Sequence, residues 1–135
     1  MQSRLSVLFV ALVLLASALA ACSGGGSQST TPDEAGKFAS LKGDAKKGET
    51  AFAGTCVPCH GPDAKGMPGL GKDLTTSTFM KDTSDAELIL FVTKGRPAGD
   101  PLNTTGVDMP PRGGTPALKD QDLADIVAYL RTLQK

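Results

Sequence analysis

Between residues 120 and 133 the apolar side chains Leu123, Ile126, Val127 and Leu130 fall at i, i+3, i+4 and i+7, the spacing of one helix face. Asp120 and Asp122 occupy its first turn and Arg131 its last, the signs a helix dipole favours. A second helix is announced by Ser84-Asp85-Ala86-Glu87. This is an S-x-x-E capping box, whose hydroxyl and carboxylate satisfy backbone donors that a helix start leaves free. Leu88, Phe91 and Val92 then share a face, and Gly95 is placed to take a left-handed C′ position. A third helix is predicted from Ala45 to about Thr55, with Asp44 as N-cap and Phe52 as its main apolar residue. No run of strict alternation is long enough for a strand. The pattern predicts an all-α domain of three or more short helices without internal repeat. Two long Gly/Pro-rich segments, 61–71 and 95–115, join them. Structureless loops of this length are usually functional or disordered, and here they are read as walls of a functional site.

The N-terminal pattern is different. Residues 5–19 are apolar apart from Ser6 and Ser17, follow a short segment carrying Arg4, and lead into Ala20 and Ala21. This is the layout of a secretory signal peptide, and the run is short of the ~20 residues a bilayer span needs. Leu19-Ala20-Ala21-Cys22 resembles the bacterial lipobox, in which the cysteine is diacylated and becomes the mature N-terminus. Two acyl chains anchor stably where one is marginal. Ser23 to about Ser40 contains Gly24-Gly25-Gly26-Ser27-Gln28-Ser29-Thr30-Thr31 and reads as a tether without ordering side chains. The expected division is 1–21 signal peptide, 22–40 lipid anchor and flexible linker, and 41–135 folded domain. That places the domain outside the cytoplasm, on the periplasmic side where two membranes are present.

Composition narrows the picture. With 14 basic and 14 acidic residues in 135, nothing suggests a nucleic-acid partner. Aromatic residues make up 4% and tryptophan is absent. Large aromatics supply much of a small core's buried area, so this core is expected to draw on something other than protein.

Cys56-Val57-Pro58-Cys59-His60 supplies that something. C-x-x-C-H is the attachment signal for c-type haem. Two thiols three residues apart reach the two vinyl groups on one porphyrin edge, and the next residue, on the same turn, offers its imidazole to the iron. A structural zinc site wants four ligands, and apart from Cys22 the chain offers only these three cysteine and histidine side chains. A thioredoxin-like pair expects β-α-β patterning and leaves His60 without a role. A Cys56–Cys59 disulfide would close too small a loop to stabilise much.

His60 is the only histidine, so a sixth ligand must come from elsewhere. Met67 follows His60 too closely to cross the ring. Met80, beside Phe79 and just before a helix cap, reads as core. Met109 lies in Asp108-Met109-Pro110-Pro111, where two prolines stiffen a loop that can hold a thioether against iron. Met109 is the expected ligand, with Met80 and an open site as alternatives.

Together these residues resemble a small class I cytochrome c of the single-haem bacterial type. The resemblance covers about Gly43 to Leu133. It rests on Gly48-Glu49-Thr50-Ala51-Phe52, Cys56 to Gly61, Pro68-Gly69-Leu70, Met109-Pro110-Pro111 and Ala124 to Leu130. It implies terminal helices crossing near Gly48, Phe52 and Tyr129. It also implies that the Pro68 carbonyl accepts from the His60 ring and that Leu70 packs on the haem face. Arg96 is a candidate partner for a haem propionate, with a solvated surface arginine as the alternative. Two departures from the family pattern stand out: Lys119 or Asp120 caps the last helix, and the loop 96–108 looks long. The function implied is electron transfer through one covalent haem c, with redox-protein partners, a membrane reached through Cys22, no small-molecule substrate and no enzymatic reaction. The alternatives are a thiol–disulfide oxidoreductase using Cys56 and Cys59, and a haem-based ligand sensor.

Overall fold

A computed structural model of the chain describes residues 32–135. The apolar leader, Cys22 and the glycine-rich stretch lie outside the described residues. Within them are six α-helices: α1 (Pro32–Gly36), α2 (Ala45–Thr55), α3 (Val57–His60), α4 (Thr78–Asp82), α5 (Asp85–Lys94) and α6 (Asp120–Leu133). A 3-10 turn, Pro111–Gly114, precedes α6. Bridges of a single residue pair, Met67–Gly71 and Arg96–Met109, are the β pairing among the described residues. No helix among them is long and apolar enough to cross a membrane.

The three helices expected from the pattern occupy their expected spans. Asp44 caps α2 by accepting from the Lys46 and Lys47 amides at 3.0 and 3.3 Å. The capping box of α5 is complete: Glu87 accepts from the Ser84 amide at 3.0 Å, and Ser84 Oγ from the Glu87 amide at 3.3 Å. At α6, Asp122 accepts from the Lys119 amide at 2.7 Å, the carboxylate half of a capping box, while the Lys119 side chain makes no cap of its own. Gly95 departs from expectation. Its φ is +72° but its ψ is −169°, so the chain leaves α5 extended, into the Arg96–Met109 bridge, and does not curl into a left-handed cap.

Helices α2 and α6 cross at Gly48. A β-carbon there would lie 1.9 Å from the Asp125 carbonyl oxygen, so only glycine allows this approach. Phe52 and Tyr129 stack beside the crossing with ring centroids 5.6 Å apart. The buried Asp125 carboxylate accepts from the Asp44 amide at 2.8 Å and the Gln121 amide nitrogen at 2.9 Å, tying the two helix starts together. Around this pair pack Leu88, Ile89 and Leu90 of α5 with Leu123, Ile126, Val127 and Leu130 of α6. Arg131 was expected to act on the helix dipole. It also clamps the α4–α5 junction, donating to the Met80 carbonyl, to the Thr83 carbonyl at 2.6 Å and to Asp85 at 2.8 Å.

The domain starts earlier than its expected boundary at residue 41. Ala35 and Phe38 are buried at 5% and 2% exposure, and Glu34 pairs with Lys94 of α5 at 2.5 Å. Residues 32–40 are therefore a strap on the domain, not part of a linker. A single phenylalanine among polar residues gave too little periodicity to show it.

Candidate haem site

The attachment motif is set by the junction of two helices. The Cys56 amide still donates to the Phe52 carbonyl at 2.8 Å, closing α2, while its carbonyl accepts from His60 at 2.9 Å, opening α3. Pro58 sits in the first turn of α3, where a missing N–H costs nothing. One turn thus carries both thiols and the imidazole toward one side.

The loop after His60 folds back onto the motif. Gly66 donates to the His60 carbonyl at 2.7 Å and Met67 to the Cys59 carbonyl at 3.1 Å. A β-carbon on Gly71 would lie 2.2 Å from the Cys59 carbonyl oxygen, so glycine permits the return. His60 Nδ1 lies 3.0 Å from the Lys72 carbonyl oxygen. A carbonyl only accepts, so Nδ1 carries the proton and Nε2 keeps its lone pair for a metal. The expected acceptor, Pro68, is not the partner. The turn 67–71, closed by the Met67–Gly71 bridge, leaves Pro68 exposed and outside the cavity lining, and delivers Lys72. Asp73 fixes that carbonyl's neighbour by accepting from Thr75 N and Oγ1 at 2.7 and 2.8 Å and from Thr76 N and Oγ1 at 3.3 and 3.0 Å. The Thr75 hydroxyl bond leads the effects that hold the Asp73 carboxyl below its ordinary range.

Facing this wall is the second long loop. The Arg96 and Met109 backbones exchange two hydrogen bonds of 2.8 Å, so Met109 is pinned where α5 ends. Arg112 follows at φ +53°, a conformation disfavoured for a side-chain-bearing residue. Its guanidinium donates to the Leu118 carbonyl at 2.8 Å and to Asp120 at 2.6 Å, fastening the Met109-Pro110-Pro111 segment to the start of α6.

One cavity of about 200 Å³, lined mainly by apolar surface, joins the two walls. Cys56, Cys59, His60, Leu70, Arg96 and Met109 all line it. Met80 lines it too, from α4, with a side chain only 6% exposed; Met67 does not, and is 44% exposed. Arg96 is not a solvated surface arginine. Its guanidinium stacks on Phe79 and Phe91 at 5.1 and 4.6 Å from their centroids, and Nε is buried 3.6 Å from Asp100. Two thiols, an imidazole with Nε2 free and a thioether on an apolar cavity form a donor set that fits one covalently held haem. Sequence reasoning missed Lys72, Leu74, Asn103 and Arg112, which also line the cavity. A backbone carbonyl leaves no signature; Asn103-Thr104-Thr105-Gly106 does, as an Asx-turn pattern.

Comparison with known proteins agrees with this geometry. Residues 45–134 match the cytochrome c family. The chain is 33% identical to cytochrome c-554(548) of Halomonas halodenitrificans over 89 residues, 64% of this chain and 93% of that protein. It is 33% identical to the cbb3-type cytochrome c oxidase subunit FixP of Azorhizobium caulinodans over 90 residues, 66% of this chain but 27% of that one. FixP of Bradyrhizobium sp. (strain ORS 278) is 43% identical over 54 residues, 39% of this chain and 19% of that one. The chain therefore spans a minor part of the oxidase subunits it matches. No solved structure matches it.

Proposed function

Because the chain belongs to the cytochrome c family, whose members bind covalent haem c, we propose that it carries electrons with His60 and Met109 as axial ligands. We place it on the outer side of a bacterial membrane, tethered through Cys22. The observation that carries the reading is the single cavity on which Cys56, Cys59, His60 and Met109 converge. The bound haem supplies an iron that alternates between ferric and ferrous, and Met/His ligation raises its potential. The chain's own residues do the remainder. Cys56 and Cys59 hold the group by thioethers. The Lys72 carbonyl keeps the His60 tautomer and ring plane fixed. The apolar lining would keep water from a bound iron and so limit reorganisation when its charge changes. Arg96 presents charge to the propionates. With His60 and Met109 both holding the iron, the site would be suited to electron transfer and would offer no open position to a substrate. Relatives named as oxidase subunits make a respiratory complex the proposed class of partner.

The thiol–disulfide alternative fits poorly. Burial, then the charge of Cys59, pushes the Cys56 thiol up to about 11, whereas a redox-active pair needs a stabilised thiolate near neutral pH.

The decisive experiment substitutes each methionine on the cavity. Met109→Ala is expected to remove the weak long-wavelength ferric sulfur–iron band, lower the midpoint potential and open ferrous iron to carbon monoxide. Met80→Ala should cost stability, through a cavity in the core, and leave the band. The reverse result would reassign the ligand to Met80. A wild-type protein that lacks the band and binds carbon monoxide readily would favour the sensor.

A further inference from the structure

The loop between Arg96 and Met109 has no regular secondary structure, yet two side chains cross it: Asp108 Oδ1 accepts from the Ala98 amide at 2.5 Å beside the bridge, and Asn103 spans it further in. Asn103 Nδ2 donates to the Pro97 carbonyl at 3.1 Å and to the Val107 carbonyl at 2.7 Å. Its Oδ1 accepts from Thr105 N at 3.0 Å, Thr105 Oγ1 at 3.0 Å and Gly106 N at 3.1 Å. Two carbonyls demand donors and two backbone amides demand an acceptor, so the amide's orientation is fixed by its partners. Pro97 and Val107 stand on opposite legs of the loop, just inside the Arg96–Met109 bridge. Beyond the Asp108–Ala98 tie, Asn103 supplies the rung that joins Pro97 to Val107, and it lines the same cavity as Met109.

We infer that Asn103 is a positioning residue for the axial methionine: by tying the two loop legs together it holds Met109 toward the cavity and sets how often the thioether leaves the iron. The inference rests on Met109 being the ligand. The two halves of the amide act differently. The acceptor half shapes the turn at Thr105 and Gly106, while the donor half joins the legs. Each net hydrogen bond biases an equilibrium by about fivefold, so losing both donor bonds should raise the methionine-dissociated fraction by about tenfold or more.

Asn103→Ala removes both halves. Asn103→Asp keeps the acceptor and replaces the donor by an oxygen facing two carbonyls. Both variants, matured with haem and compared with Thr104→Ala as an exposed neighbour, would be examined by the ferric sulfur–iron band, midpoint potential, carbon monoxide association and amide hydrogen exchange. Both Asn103 variants are expected to weaken the band and speed carbon monoxide binding at least about tenfold. The Thr105 and Gly106 amides should lose protection in Asn103→Ala and keep it in Asn103→Asp. A band and closed iron retained in Asn103→Asp would overturn the role of the leg-joining bonds, even if Asn103→Ala fails to mature. If Met109→Ala in the wild-type background leaves the band intact, the ligand reading itself falls, which is a separate result from an insensitive Asn103.

Discussion

Replacing Gly48 by alanine tests the helix crossing on which the site is built. The added β-carbon would sit 1.9 Å from the Asp125 carbonyl oxygen and 2.4 Å from its carbon. Ordinary contact begins at 3.4 Å, so α2 and α6 must part by about 1.5 Å at that point. The obstacle is helix backbone, which cannot rotate aside as a side chain would. A gap of 0.5–1 Å already forfeits a quarter to a half of a dispersion well, and the neighbours that lose contact include Phe52 and Tyr129. Overpacking typically costs ~1–3 kcal/mol and more against a rigid neighbour. Alanine returns ~1 kcal/mol of helix propensity. With the rigid backbone putting the cost at the upper end, the net expectation is a loss of about 2 kcal/mol, or a fall in Tm of about 8–16 °C for a domain of this size. Gly54 provides the internal control: it lies on the same helix, exposed, with nothing within 4 Å of its would-be β-carbon. Gly54→Ala should therefore raise stability by ~0.5–1 kcal/mol. Denaturant melts of the haem-loaded proteins, followed by far-ultraviolet circular dichroism, would compare them. If Gly48→Ala unfolds within about 0.5 kcal/mol of Gly54→Ala, the crossing does not depend on that close approach.

Cys22→Ser should shift the haem domain from membrane to soluble fractions without changing its spectrum; a variant that stays with membranes as an uncleaved chain refutes the anchor. Phe38→Ala removes a fully buried ring and should cost ~3–5 kcal/mol if the strap folds with the domain, whereas a change below ~1 kcal/mol would mean the strap adds little. The Asp73 carboxyl is held below its ordinary range, so its bonds to Thr75 and Thr76 persist above that range and are lost as pH falls through the lowered value. Amide exchange at Thr75 and Thr76 should accelerate with acid in the wild type but not in Asp73→Asn; the same acid response in both would remove Asp73 from the His60 wall.

How much of this was legible before the fold depended on the kind of signal. Helices α2, α5 and α6 declare themselves through side chains: a capping aspartate, an S-x-x-E box, a four-residue apolar stripe. The haem motif is equally local, because two attaching thiols and one ligating imidazole share one turn. What escaped depends on backbone or on distance. The acceptor for His60 is a main-chain carbonyl, so the proline that resembles the family pattern pointed four residues too early. Helices α1 and α4 are five residues each, too short for a period to register. The sequence left Arg96 between a propionate partner and a surface charge, because its aromatic partners come from positions 79 and 91.

The packed strap also changes what an anchor at Cys22 would permit. A tether reaching to Ser40 could extend to about 65 Å, at no more than ~3.6 Å per residue. With Phe38 and Ala35 buried and Glu34 paired to Lys94, residues 32–40 follow the surface of the domain and add no reach. Nine residues, or ten Cα–Cα steps, separate Cys22 from Pro32, which limits the extension to about 36 Å. A folded domain of ~100 residues has a radius of gyration near 13 Å, so that leash is comparable to the width of the domain itself. A carrier so held works in a layer about one domain deep above the lipid. Its donor and acceptor must therefore present their docking surfaces close to the same membrane. This favours membrane complexes over carriers that diffuse freely through the compartment.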